Sequence, residues 1–339
     1  MAGQKCGRLD CHNIDAFAQT YPTQQGKVTS RQPSAPTVLI THSACLAHET
    51  PAGHPENASR LRAVLDALSG DDFRALKRAK APRATLEMLA RVHDRDFIHA
   101  LLACIPTSGL AMIDSDTGVS PGSREAVLRA TGANVHAVDL VMSGEVQNAF
   151  CAVRPPGHHA GPARAMGFCL FNNVCVGAAH ARAVFGLERI AILDFDVHHG
   201  NGTEAWISTD KAYFYGSTHQ APLFPGTGRE AGGLHIHNHP LAAGSGSAAF
   251  REAFKAILDE LTQFSPDLIF ISAGFDSHRD DHMAQLKLED ADYAWATVEV
   301  CKIAAETCQG RVVSTLEGGY DLPSLARSVR AHIQVLMEA

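Results

Sequence analysis

The sequence predicts an α/β fold: one domain on a central, mostly parallel sheet with helices on both faces. Three observations carry this. Short apolar runs alternate with helix-like stretches along nearly the whole chain, which argues for a parallel sheet covered on both sides. One of those runs, Ile190-Ala191-Ile192, is apolar without interruption and reads as a buried strand. Four of the runs are followed at once by glycine and a reactive side chain. Parallel sheets place their sites beyond the carboxyl ends of their strands.

Taken in order, residues 1–36 are polar, with scattered Pro, Gln, Ser and Thr, and read as a tail or lead-in. Cys6, Cys11 and His12 fall in it, at a spacing that matches no closed metal site. The domain is expected over 37–339, without linker or repeat. Val38–Thr41 is its first apolar run, and a helix-like stretch over about 57–69 follows. A long helix-like stretch, 123–142, precedes the apolar run Ala149–Val153. Next come helix-like 173–185 and the runs Ile190–Leu193 and Ala212–Tyr215. Helix-like 247–263 leads to Leu268–Ser272, and 289–307 leads to Val312–Leu316. A helix over 322–337 closes the chain.

The length of 339 residues suits one α/β domain, and 45% hydrophobic with 19% charged residues fits an enzyme-sized core. The net charge of −7 argues against a nucleic-acid binder, which usually carries a basic surplus. It leaves room for an acidic rim that attracts a cationic substrate. The nine cysteines are odd in number and include no C-x-x-C. They read as reduced, mostly buried thiols of a cytoplasmic protein. No apolar stretch reaches the length of a membrane span, and no secretory apolar core stands at the N-terminus.

The stretch Leu193-Asp194-Phe195-Asp196-Val197-His198-His199-Gly200-Asn201-Gly202 is the richest in chemistry. If extended geometry continues, Asp194, Asp196 and His198 share one side and Phe195 and Val197 the other. Two carboxylates and an imidazole are costly to bury without a partner. A divalent cation is the natural one, and this nitrogen–oxygen set suits zinc among other metals. The bland alternative is a salt-bridged, solvated strand end. Gly200 and Gly202 favour a sharp turn that leaves a site open. Asp276, after Leu268–Ser272, offers a third ligand, and three protein ligands with one open position describe catalytic zinc. His158 and His159, after Ala149–Val153, are imidazoles able to move protons near neutral pH. Tyr320, after Val312–Leu316, supplies a phenolic donor. Metal, proton shuttle and oxyanion donor together suit metal-assisted amide hydrolysis.

These residues give the chain a resemblance to the zinc-dependent histone deacetylase family, which includes bacterial acetoin-utilisation proteins and acetylpolyamine amidohydrolases. The likeness covers about residues 37–335. It rests on Arg154–Ala160, Gly167–Asn173, Asp194–Thr203, Pro225–Gly228, Gly274–Asp276 and Glu317–Tyr320, in that order. Asn201, His54-Pro55-Glu56 and Ile113–Thr117 resemble its class II branch and bacterial relatives. The resemblance implies an arginase/deacetylase-like fold and removal of acetyl, or other acyl, groups from lysine side chains or similar amines. It implies that Asp196, His198 and Asp276 hold one Zn²⁺. His158 and His159 would act as base and acid, with Asp194 orienting His158 and Asn201 bonded to His159. Tyr320 would polarise the acetyl carbonyl. Gly167, Phe168, Phe224 and Met283 would line a narrow tunnel, with Arg60 near its floor where acetate leaves. A K⁺ ion would lie against Asp194 and Ser217, with backbone carbonyls of Asp196, His198 and Thr218.

Three rival functions are weighed against these residues. An acetylpolyamine or other small N-acetyl deacetylase would carry an acidic gatekeeper or a dimer-forming insertion, and Met283 stands at the gatekeeper position. A low-activity acyl-lysine binder would have His in place of Tyr320. A binuclear manganese ureohydrolase would want a carboxylate where Gly200 stands. Partners are an acetylated lysine peptide, protein or amine, with homo-oligomerisation left open. His199 is expected to point away from the metal. His235, His237 and His239 alternate along one strand face and read as hydrogen-bonded or solvated. His278, Arg279, Asp280 and Asp281 read as a solvated loop.

Overall fold

The computed structural model describes residues 36–208, 210–230 and 235–339. Residues 1–35 fall outside the described part, so the lead-in and its Cys6, Cys11 and His12 do too. The chain runs β1 (Val38–Thr41), α1 (Ala58–Ala67), β2 (Lys77–Lys80), α2 (Leu86–Leu89) and α3 (Arg95–Cys104). A short pair, β3 (Ala111–Met112) and β4 (Gly118–Val119), precedes α4 (Ser123–Met142) and β5 (Asn148–Cys151). Then come α5 (Asn173–Phe185), β6 (Ile190–Asp194), α6 (Asn201–Ile207), β7 (Tyr213–Gln220) and β8 (Ile236–Leu241). The last third is α7 (Ser247–Phe264), β9 (Leu268–Ala273), α8 (Asp290–Thr307), β10 (Val312–Leu316) and α9 (Leu322–Glu338).

Eight strands form one sheet in the order β2-β1-β5-β10-β9-β6-β7-β8, and every pairing in it is parallel. The separate β3–β4 pair is antiparallel. Helices α4 and α5 pack on each other and on the central strands, while α1, α9, α8 and α7 pack in succession as a second layer. Both faces are therefore covered, and the central strands are buried at every position. That is why they read as largely apolar runs. The edge strand β2, Lys77-Arg78-Ala79-Lys80, is mostly exposed. Its charge protects a sheet edge from pairing with another chain, and the same charge hides it from a search for apolar runs.

The sequence order scatters the four glycine-bearing turns, but the sheet order gathers them. They follow β5, β10, β9 and β6, which are consecutive neighbours. The site is thus a row of adjacent strand ends.

Beside this row lies a buried ion cluster. The Glu56 carboxylate takes Arg154 Nε and Nη2, the latter at 2.7 Å, and Arg60 Nη1 at 3.2 Å. All three side chains are fully buried. Burial alone would raise Glu56, but Arg154 overcomes it and holds the carboxyl down at about 2. A depressed acid stabilises the fold above its unfolded pKa and loses that contribution as pH falls through the folded one. Glu56 therefore supports the fold fully above its ordinary value of 4.5, and the support drains between there and about 2. The expected size is roughly 3 kcal/mol. In urea titrations, Glu56→Gln should be markedly less stable than wild type at pH 7. The gap between the two should narrow steadily as pH falls from 5 to 3; a constant gap would contradict the assignment.

Candidate active site

β6 stops at Asp194, earlier than continued extended geometry requires. Side chains take over from the ladder. Asp194 Oδ1 accepts the Asp196 N–H at 3.1 Å, and Asp196 Oδ1 accepts the His198 N–H at 2.9 Å. These two-residue turns keep Asp194, Asp196 and His198 together, while Phe195 and Val197 enter the core. The sidedness expected from sequence holds, although by turn geometry and not by strand pleating.

Asp196, His198 and Asp276 form a buried cluster of candidate ligands. His198 Nδ1 lies 3.1 Å from Asp196 Oδ1 and 3.2 Å from Asp276 Oδ2. Ligand atoms bound at ~2.0–2.1 Å in a tetrahedron stand ~3.3 Å apart. Each carboxylate is fixed through its other oxygen by a neighbouring turn. Asp196 Oδ2 accepts the Gly318 N–H at 2.8 Å, and Asp276 Oδ1 accepts the Val197 N–H at 2.9 Å. Asp276 Oδ2 is buried with no hydrogen bond. A Cβ at Gly318 would lie 2.3 Å from that oxygen, so the turn can only be glycine. Burial and the Asp196 carboxylate both push Asp276 up. Burial would lower His198, yet its two carboxylate neighbours raise it to about 10. The cluster calls for positive charge, and its donors fit Zn²⁺.

The tandem imidazoles stand beside it, their ring centroids 4.0 Å apart. His158 Nδ1 lies 3.0 Å from Asp194 Oδ2, and His159 Nδ1 lies 2.8 Å from Asn201 Oδ1. Burial alone would lower both. In His158 the Asp196 and Asp194 carboxylates overcome it and raise the ring to about 10. His159 has no such partner; burial, then His158 and His198, hold it well below its ordinary range. A dication at the three ligands would offset Asp196, leaving Asp194 beside His158 and an amide beside His159.

A cavity of about 190 Å³ opens over this group. Gly167, Phe168, Phe224, Met283 and Tyr320 line it together with His158, His159, His198, Pro156, Asp116 and Gly318. Phe168 is held at φ +67, a region a bulky residue rarely adopts. Its ring sits between His54, at 4.7 Å, and Tyr320, at 6.0 Å. Phe224 stands edge-on to His159 at 5.1 Å. Arg60 does not line the cavity. It lies buried behind Tyr320, its guanidinium 4.6 Å from the ring centroid, bonded to the carbonyls of Glu317 and Gly319. Asp194 and Ser217 are direct partners across β6 and β7, and Ser217 Oγ bonds His219 Nδ1 at 2.9 Å.

His199 faces away from the ligands, bonded to Thr227 Oγ1 at 2.8 Å and Glu204 Oε2 at 2.9 Å. His235, His237 and His239 belong to no ligand cluster among the described residues. The cysteines of the described residues are free, and five of them are buried. The solvated-loop reading of 278–281 is corrected for two residues: His278 and Asp281 are 3% and 5% exposed. The loop folds back over the Asp276 turn, and Asp281 is consumed by backbone N–H groups. A Cβ at Gly200 would lie 2.3 Å from Asp194 Oδ2, so no second-metal carboxylate fits there. A second ligand-like cluster, His158, Cys169 and Glu317, is otherwise engaged. Burial holds Cys169 as a thiol, and Glu317 Oε2 accepts the N–H groups of Gly157 at 2.6 Å and His158 at 3.2 Å. Sequence reasoning missed Glu317 as a member of the site. Its place at a strand end, like the other site residues, was the available signal.

The histone deacetylase domain pattern matches residues 54–336. The chain belongs to the histone deacetylase family. It is 38% identical to the histone deacetylase-like amidohydrolase of Pseudomonas aeruginosa, over 79% of this chain and 73% of that protein. It is 34% identical to type-2 histone deacetylase 2 of Dictyostelium discoideum over 89% of this chain, and spans only 21% of that protein's length. Among solved structures it resembles the crystal structure of the HDA15 HD domain, with a TM-score of 0.84 and 33% identity, covering 90% of this chain and 88% of that one. This deacetylase-family protein has the arginase/deacetylase-like α/β fold and is a hydrolase acting on amides.

Removing Asp276 would leave two ligands and an unbalanced donor set. Asp276→Ala should lose bound zinc, measured as metal per chain after dialysis, while keeping its helical circular dichroism. Full zinc retention would contradict the ligand assignment.

Proposed function

We propose that the chain is a zinc-dependent deacylase that removes acetyl groups from lysine side chains of peptides or proteins. The observation that carries this is the buried Asp196–His198–Asp276 cluster at the base of a narrow aromatic-walled cavity shared with His159 and Tyr320. Zinc bound there would supply a Lewis acid for the amide carbonyl and make water a nucleophile at neutral pH. Phe168 and Phe224 grip the lysine methylenes between their rings. Tyr320 donates its O–H to the carbonyl oxygen as charge develops. His159 donates its Nδ1–H to Asn201 Oδ1, so its Nε2 is free to take the proton from the attacking water and pass it to the leaving amine. His158 donates from Nδ1 to Asp194 and serves mainly as electrostatic support. We also assign a K⁺ ion to Asp194 and Ser217, supported by their pairing in the sheet. Residues 37–339 are read as the catalytic domain, acting in the cytoplasm.

The test compares purified enzyme on acetyl-lysine peptides, acetylated polyamines and longer-acyl lysines. Acetyl-lysine peptides should give the highest kcat/KM. Tyr320→Phe should cut kcat on them by roughly 10²–10³ with little change in KM, as for loss of one oxyanion donor. A stronger response to acetylpolyamines would favour the small-amine reading. Unchanged kcat in Tyr320→Phe would make the tyrosine structural.

The two histidines differ in their partners. An amide beside His159 offers a hydrogen bond, whereas a carboxylate would also stabilise the imidazolium. Asn201→Asp should therefore raise the His159 pKa. A base must be neutral to act, so the acidic limb of kcat/KM should move to higher pH. If Asp194→Asn moves that limb and Asn201→Asp does not, the two roles are exchanged.

A further inference from the structure

The peptide unit joining Gly319 to Tyr320 is held at both polar atoms by opposite charges. Its carbonyl oxygen accepts from Arg60 Nε, and its N–H donates to Asp281 Oδ2 at 2.6 Å. The same carboxylate oxygen accepts the Asp321 N–H at 3.0 Å, and Asp281 Oδ1 accepts the Met283 N–H at 3.0 Å. Such charge-assisted bonds are stronger than neutral ones. Asp281 thus joins the start of α9, the Tyr320 turn and the Met283 wall of the tunnel, and every one of these contacts is to backbone.

The need for such a clamp is local. Gly318 and Gly319 precede Tyr320, and Gly319 sits at φ +118. Without Cβ atoms, local sterics restrict neither residue strongly. The plane of the Gly319–Tyr320 peptide is therefore set by what its oxygen and nitrogen bond to. That plane directs the Cα–Cβ bond of Tyr320 and so the reach of its hydroxyl. Arg60 also packs on the Tyr320 ring, whereas Asp281 acts on the amide alone.

We propose that Asp281 is a positioning residue: it fixes the Tyr320 hydroxyl over the reacting carbonyl and couples that setting to the tunnel mouth through Met283. This rests on Tyr320 being the oxyanion donor.

The experiment is a double-mutant cycle in the zinc-loaded full chain, with an acetyl-lysine peptide as substrate. Asp281→Asn replaces one acceptor oxygen with an NH₂ group that faces an N–H. It should lower kcat about 10–100-fold, since a misplacement of ~1 Å costs ~10²-fold. KM should change less than about threefold and zinc should stay at one per chain, as expected when only a transition-state contact is lost. In a Tyr320→Phe background, where no hydroxyl remains to be placed, Asp281→Asn should cost no more than about twofold further. Asp281→Glu, which keeps the charge, should lose less than Asp281→Asn, and it replaces the latter in both backgrounds if the asparagine variant does not fold. Asp280→Asn is the control: that carboxylate is half exposed, bonds Arg327 and should leave kcat unchanged. Equal losses in both backgrounds, loss of zinc, or unchanged kcat in Asp281→Asn would overturn the proposal. A large Tyr320→Phe effect beside an inert Asp281 overturns this inference alone, whereas an inert Tyr320 overturns it together with the mechanism.

Discussion

The organisation of this molecule depends on two buried carboxylates that face the same imidazole. Asp196 and Asp276 follow different strands, β6 and β9, and each spends one oxygen on a backbone N–H of another turn. Their remaining oxygens converge on His198. Like charges at this separation inside a protein are strongly unfavourable unless a cation joins them. The fold supplies the orientation and leaves the charge unbalanced, which suits the proposed metal site better than a structural ion pair. The partners that hold the far oxygens would act as groups behind metal ligands do: they fix which lone pair would face a bound cation.

Parallel strands are what make this arrangement available. Each of β5, β10, β9 and β6 releases its chain at the same edge, so four distant segments of sequence arrive side by side. Their turns then brace one another. Gly318 N–H holds Asp196, Val197 N–H holds Asp276, and Glu317 holds the amides of Gly157 and His158. No turn is held only by its own strand. A change in one is felt by the neighbour that borrows its amide or its carboxylate.

Much of this was legible in the sequence because burial on both faces writes an unbroken apolar run. β6 and β9 are nearly of that kind, and the candidate ligands follow them closely. The charged edge strand β2 carries no such signal, because an edge is protected by lysine and arginine and not by apolar side chains. Helix α6 begins at Asn201, inside the ligand motif, so its first residues read as a turn. Glu317 and Asp281 were missed for a different reason. Most of their partners are backbone amides, several from remote segments, and a main-chain partner leaves no trace in residue type. Asp281 looked like a solvated charge among Arg279 and Asp280, and only the folded loop shows that it is buried.

The two kinds of carboxylate therefore divide the labour of the site. Asp196 and Asp276 each keep one oxygen facing the cluster, and they are recognisable as candidate ligands. Glu56, Glu317 and Asp281 are spent on arginines or amides, and they set geometry. In the proposed function the cavity closes around a lysine chain, and this second group sets its shape. Tyr320, the proposed donor, sits after two glycines, and the first lets the turn pass close to Asp196 and Asp276. The glycine that makes room for Asp276 belongs to the turn that leaves the tyrosine loose. Arg60 and Asp281, gripping the oxygen and nitrogen of a single peptide, restore the order that close approach removes.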